Sequence, residues 1–405
     1  MRIKKFIIAT LIISLTLSLT GCFTMFDGWL DSPTYIPPDG TRLVIYRTDT
    51  DGGIDATDSL ADVIEAVHAS VVEINCSVSD GVAAGSGVIF ANNDDQSEQA
   101  ETRWVYVITN HHVIEGATSI WVRLTDGSEY AGTVFASDAE GDIAVVGINP
   151  AAGQTFDDFT YALLPTESYS AHVGDEVFAI GNPLGTLGGT VSTGIVSALN
   201  RFITVEGTPM LLMQTDASIN SGNSGGALFN RAGRLIGIVN AKAKGEGIEG
   251  IGFAIPIDVA MNVVQQLFEK GYVDRGVMGI TLAELLDQDD MDAYLDQFYY
   301  RNGWGNTVFT DKTSYDFWYD VFTDGRLAQY RYGMYVTSTA LASEDTKAKL
   351  QKGDYVVAIN GTAIKTSTDI KRALYGKVAG DVVSVTVYRY GTVGEPLQIT
   401  LIART

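Results

Sequence analysis

The chain has 405 residues, with 49 aspartates and glutamates against 27 lysines and arginines, a formal net charge of −22. So acidic a surface argues against nucleic acid and anionic lipid headgroups as charge-selected partners. Hydrophobic residues make up 46% of the chain, enough for two or three packed domains, and two cysteines are too few for a disulfide framework.

Arg2, Lys4 and Lys5 precede a charge-free apolar run over residues 6–19, which ends in Leu19-Thr20-Gly21-Cys22. A basic start and a short apolar run predict a secretory leader over residues 1–22. The closing four residues resemble a bacterial lipobox, which makes Cys22 the lipidation site. The alternative is an uncleaved membrane anchor over residues 6–26. Both place the remainder outside the cytoplasm and tethered to a membrane. Residues 23–58 carry Pro33, Pro37, Pro38, Gly40, Gly52 and Gly53 and read as a spacer, with a short strand over 42–47.

From residue 59 the pattern changes to short β-branched runs separated by Gly, Asp and Asn, an all-β signature. Strands are predicted over 71–75, 86–90, 104–109, 119–124, 130–135, 143–148, 176–180, 190–198 and 235–241. Two antiparallel barrels, roughly 65–155 and 160–258, would leave a cleft between them. Residues 92–101 read as a solvated hairpin loop, and Cys76, in an apolar strand, as a small core residue.

Within these barrels lie three separated pieces of chemistry. The first is His111-His112, where an apolar strand enters a polar turn; the second is Asp142, directly before an apolar run. The third is Gly222-Asn223-Ser224-Gly225-Gly226, a turn able to present a serine hydroxyl beside backbone amides. The order His, Asp, Ser is that of chymotrypsin-like enzymes rather than subtilisin-like enzymes or α/β-hydrolases. His68 and His172 read as ordinary surface or capping histidines. No His/Cys/carboxylate cluster has metal-ligand spacing, and no cofactor is implied.

Five blocks in order resemble the HtrA (DegP/DegS-like) serine proteases. They are Thr109-Asn110-His111-His112-Val113, Asp142-Ile143-Ala144-Val145, Ala179 through Gly185, Gln214 through Gly226, and Gly250 through Pro256. The resemblance implies a mainly β architecture: a chymotrypsin-like double β-barrel over 59–270, then a PDZ domain over 271–405. It implies His112 as base, Asp142 as the carboxylate that orients it, and Ser224 as nucleophile. Asp138 is left as a solvated turn residue and His111 as a neighbour. The Gly222 and Ser224 amides become the oxyanion hole. Ile219, five before the serine, lines the primary pocket and favours small or medium aliphatic residues. Ser221 and Ala227 depart from the family pattern beside the nucleophile and remove no catalytic atom. The strand over 237–241 is expected to pair with an extended substrate. Residues 55–70 correspond to the segment through which family members trimerise.

Farther on, Val277-Met278-Gly279-Ile280 occupies the position of a PDZ carboxylate-binding loop, for capture of C-terminal peptides. Strands are expected over 333–338 and 382–389 and the long PDZ helix over 369–375. Residues 281–332 break the family pattern as an insertion rich in Tyr, Phe and Trp, opening with an acidic helix over 282–300. It reads either as a satellite subdomain or as an aromatic recognition surface. The resulting expectation is a membrane-tethered, extracytoplasmic serine endopeptidase acting on unfolded or extended polypeptides, as a homotrimer without nucleic acid. Alternatives are a narrow-target signalling protease and a non-proteolytic chaperone or PDZ adaptor.

Overall fold

The computed structural model describes residues 43–46, 58–79, 81–93, 102–166, 169–181, 189–243, 250–284, 333–389 and 392–404. Cys22, the leader and the body of the 285–332 insertion lie outside the described residues.

Two six-stranded barrels and a smaller β-domain follow one another along the chain. The first barrel closes through β2 (Val71–Val78), β3 (Gly81–Asn92), β4 (Val105–Thr109), β5 (Ser119–Arg123), β6 (Glu129–Asp138) and β7 (Ile143–Ile148), with β3 paired to β4. Strand β1 (Val44–Ile45) adds to the outer edge of β3. Part of the expected spacer is thus built into the barrel, held by Tyr46 on the Tyr161 ring at 4.6 Å. The second barrel closes through β8 (Glu176–Gly181), β9 (Thr190–Val205), β10 (Thr208–Thr215), β11 (Ala227–Asn230), β12 (Leu235–Val239) and β13 (Gly252–Pro256).

The alternation of side chains along β4 explains why every residue of it is buried. Val105 and Val107 point into the first barrel with Val72, Ile74 and Ile89. Tyr106 and Ile108 point the other way, into a core shared with Phe135, Phe178, Ile180 and Phe229. That shared core fixes the two barrels against each other and so fixes the cleft. Each fully buried Ile or Phe in it contributes about 1.5–3 kcal/mol.

Helix α1 (Leu60–His68) opens with a capping box between Ser59 and Asp62 and buries Val63 and Val67, one turn apart. The one-turn α2 (His111–Ile114) follows β4 directly. Helix α3 (Ile257–Lys270) ends at Gly271, whose φ of 77° is the left-handed conformation glycine favours. Its Phe268 stands edge-on to Tyr106 at 5.4 Å, which packs α3 onto the shared core.

The third domain is a sheet in the order β15 (Thr281–Glu284), β16 (Met334–Ser338), β17 (Tyr355–Ile359), β19 (Val382–Arg389), β20 (Thr392–Val393). Strand β18 (Thr362–Ala363) pairs with β17 and β21 (Leu397–Thr400) with β19, while β14 (Gly276–Val277) pairs separately with β22 (Ile402–Ala403). Its helices are α4 (Glu344–Lys349), capped by Ser343, and α5 (Ser367–Ala373), capped by Thr366 and Asp369. Residues 281–284, expected within the insertion and partly as helix, are instead a strand, because Leu282 and Glu284 pair with Val336 and Met334.

Contacts join this domain to the barrels. Helix α5 packs on β10, and Tyr375 stands edge-on to Phe202 at 5.4 Å. Arg275 clasps Asp138 through two hydrogen bonds of 2.8 and 2.6 Å. Asp138 is therefore not a solvated turn residue: its side chain is 10% exposed, because the chain leaving α3 brings a guanidinium onto it. Glu140, beside it, holds Arg404 at 2.9 Å.

Candidate active site

His112 enters the cleft because β4 stops at Thr109 and α2 turns the chain immediately afterwards. Asp142 sits at the mouth of β7 with φ 52°, a left-handed conformation that Asp and Asn tolerate better than most residues. That turn aims its carboxylate back at α2. Oδ1 accepts from the His112 backbone N–H at 3.0 Å, and Oδ2 lies 2.8 Å from His112 Nδ1. The buried Asn240 side chain donates a third hydrogen bond, to Oδ2 at 2.8 Å. The Asn110 side chain holds the Asp142 carbonyl at 3.0 Å. Held by these three groups, the nearly buried carboxylate fixes one orientation of the His112 ring.

Ser224 comes from the other barrel and is seated on the first. Its carbonyl accepts from Ser86 N–H at 2.8 Å, and Ser86 Oγ donates to the Gly222 carbonyl at 2.8 Å. Thr109 Oγ donates to the Ser86 carbonyl at 2.7 Å, linking this clamp to the end of β4. A Cβ on Gly85 would lie 2.8 Å from the Val113 methyls and 3.2 Å from the Ser224 carbonyl, so strand and turn meet without room for a side chain. The hydroxyl of Ser224 accepts from Ala241 N–H at 3.3 Å. No hydrogen bond joins it to His112 among the described residues. Residues 221–223 form a 3₁₀ turn in which Asn223 N–H donates to the Asn220 carbonyl at 3.0 Å. In such a turn the amides point back along the chain.

Of the residues expected from the sequence, His112 and Asp142 are joined by hydrogen bonds, and Ser224 lies on a turn seated against Ser86 of the first barrel. Two sets of residues were missed. Asn240 gives no motif signal, being one polar residue at the end of an apolar strand. Ser86 and Thr109 act through backbone carbonyls, which spacing does not reveal.

Residues 85–238 match the trypsin-like peptidase domain family and residues 276–400 the PDZ domain family. Serine protease Do-like HtrB of Bacillus subtilis is 34% identical over 326 residues, covering 79% of this chain and 62% of that protein. Serine protease Do-like HtrA of Lactococcus lactis subsp. cremoris is 31% identical over 330 residues, covering 78% and 70%. The chain belongs to the HtrA family of serine proteases. The crystal structure of the serine endoprotease from Yersinia pestis superposes with a TM-score of 0.54 at 27% identity, covering 87% of this chain and all of that one. This HtrA chain spans about three fifths of the length of HtrB.

Other expected residues fall at distinct places in the HtrA chain. Ile219 packs at the rim of the second barrel's core, over a Gly252 whose Cβ would run into it. The 237–241 segment differs from expectation. Gly237, Ile238 and Val239 pair with β13 on one side; on the other, Gly237 and Ile238 pair with β11 and Val239 bonds to Gly225 and Gly226, so this strand has no free edge. The chain then bends at Asn240 into a 3₁₀ turn over Ala241–Ala243. In the PDZ domain, Val277 pairs with Ile402 and Met278 is buried in the core. Gly279 has φ 69°, and a Cβ there would lie 2.6 Å from the Leu341 carbonyl. Ile280 and Leu282 face the same core as Ile370 and Leu374 of the helix region, leaving an apolar seam beside β15. Glu284 closes its far end, accepting from Ser367 N–H at 2.6 Å. No helix among the described residues is long and apolar enough to cross a membrane.

Proposed function

We propose that this chain is a serine endopeptidase that cuts unfolded or extended polypeptides outside the cytoplasm, tethered to a membrane through Cys22 or its leader. The observation that carries the proposal is the His112–Asp142 pair, doubly hydrogen-bonded and set against the Ser224 turn. Ser224 Oγ attacks the scissile carbonyl while His112 Nε2 takes its proton. Asp142 accepts from Nδ1–H and stabilises the imidazolium that forms. His112 then gives the proton to the leaving amine, and water releases the acyl group by the same exchange in reverse. The Gly222 and Ser224 amides receive the oxyanion once substrate turns the 221–223 peptides outward from their 3₁₀ form. Loose geometry before substrate arrives is common in such sites.

Ile219 lines the primary pocket and selects aliphatic residues such as Val, Ala or Ile. The 277–280 loop and the seam beside β15 hold a C-terminal peptide and tune the protease through the α5 contact. The protein works as a trimer built through residues 55–70 and removes or trims misfolded exported proteins. The test is β-casein cleavage by the full chain in detergent or vesicles, with and without an apolar C-terminal peptide, beside Ser224→Ala. Casein loss that disappears in the variant supports the proposal. Folded protein that binds peptide and cuts nothing favours the adaptor reading.

A further inference from the structure

Beside His112 lies a cleft of about 130 Å³ with walls from both barrels. On the same measure a water needs about 10–15 Å³, so the cleft has room for one long side chain. His112 and Glu115 stand on one wall; Val205, Glu206 and Met210 of the β9–β10 hairpin and Lys242 stand on the other. Val205 and Met210 are buried and give an apolar lining. The mouth is charged. Glu206 pairs with Lys242 at 2.7 Å. Glu115 is exposed and has no hydrogen bond or ion pair among the described residues.

The lining and mouth together suit one class of side chain. A lysine or arginine lays its methylene stem along apolar surface and keeps its charged head at the rim. Lys242 is already neutralised by Glu206, and Asp142 is spent on His112. His111, the other titratable group at the cleft, has its Nδ1 engaged by Ser137 Oγ at 2.5 Å. Among the described residues of the cleft, Glu115 is then the charge at the mouth left without a partner and facing a guest. The chain's net charge of −22 adds a long-range field of the same sign.

A carbonyl held between Ser224 and the His112 ring must send its neighbouring residues past the flank of that ring. Resting on the serine-protease reading above, we propose that this cleft selects a lysine or arginine next to the primary residue, with Glu115 reading its charge. The preference is separate from the aliphatic primary pocket at Ile219. Neither the fold nor the three-residue constellation requires it.

The test uses quenched peptides with Val at the primary position and Lys, Ala or Glu at each flanking position in turn, cut by the full chain at pH 8. At low salt the Lys peptide should exceed the Glu peptide in kcat/KM by about tenfold at one flanking position, and less in high salt. Glu115→Gln should cut that ratio to about twofold, and Glu115→Lys should invert it. Equal rates for Lys and Glu at both positions, or an unchanged ratio in Glu115→Gln, would overturn the proposal. Fluorescence anisotropy of the same peptides on Ser224→Ala protein separates the two readings. A Lys preference in binding without turnover in the parent chain supports the cleft and sinks the protease reading alone. Equal binding overturns the cleft.

Discussion

Asp142→Asn isolates the electrostatics of the site better than any truncation. The backbone survives, because φ 52° suits asparagine as well as aspartate. The hydrogen-bond count does not survive. Three donors converge on two carboxylate oxygens: His112 N–H on Oδ1, and His112 Nδ1 with the Asn240 amide on Oδ2. An asparagine offers one oxygen and one NH₂. Its oxygen must face the His112 backbone N–H, which cannot turn away. The NH₂ then faces His112 Nδ1 and Asn240. Asn240 can rotate its amide, since its Oδ1 is buried without a partner and can accept. His112 answers by moving its proton to Nε2, the nitrogen that must be free to take the serine proton. The expected loss is about 10³–10⁴ in kcat, or roughly 4–5.5 kcal/mol of transition-state stabilisation, with KM little changed. Folding should move by only about 1 kcal/mol, since each polar group keeps a partner. The assay is cleavage of an internally quenched aliphatic peptide, with urea unfolding alongside. A loss under tenfold in a folded variant would refute this account of the Asp142–His112 pair.

Three further outcomes are expected. Gly225→Ala should abolish cleavage and lower the melting temperature, because φ is 80° and a Cβ would run into the Ser86 carbonyl and Thr109 Oγ; a stable, active variant would contradict the seating of the serine turn. Arg389→Met should destabilise the PDZ domain by about 3 kcal/mol, by leaving the fully buried Asp354 carboxylate unpaired. Burial already holds that carboxyl above its usual range, so the folded state keeps its proton to higher pH than the unfolded chain. The loss should therefore be largest above that carboxyl's titration and shrink as pH falls through it, read by urea unfolding across pH. Burial pushes the Cys76 thiol up to about 11 from 9.0, so native protein should resist iodoacetamide at Cys76 near pH 8. Between those two values the folded state alone retains the thiol proton, so stability should fall as pH rises; rapid native labelling at Cys76 by mass spectrometry would contradict its burial.

What could be read from the sequence follows from the range of each interaction. β-Branched runs bounded by Gly and Asp fix strands locally, so β7 and β19 have the expected limits of 143–148 and 382–389. Strands β10 and β11 were not foreseen as strands; β10 lies between the adjacent β9 and the distant β13, and β11 between the adjacent β12 and the distant β8. The sequence singled out His112, Asp142 and Ser224 because a motif surrounds each, and the structure joins the first two by hydrogen bonds. Asp138 misled because its partner, Arg275, lies 137 residues away and no local signal announces it. The substrate-edge expectation fails over Gly237–Val239, the strand part of 237–241, for a related reason. Whether an edge is free depends on β11 and β13, and both sides are occupied.

The most direct measurement is covalent labelling of the native chain with a fluorophosphonate, followed by peptide mapping. The account predicts one stoichiometric adduct, on Ser224, which is slowed by an aliphatic substrate and lost in His112→Ala. Labelling at other serines only, or no adduct on a folded chain that binds extended peptide, would contradict the claim that Ser224 is an activated nucleophile.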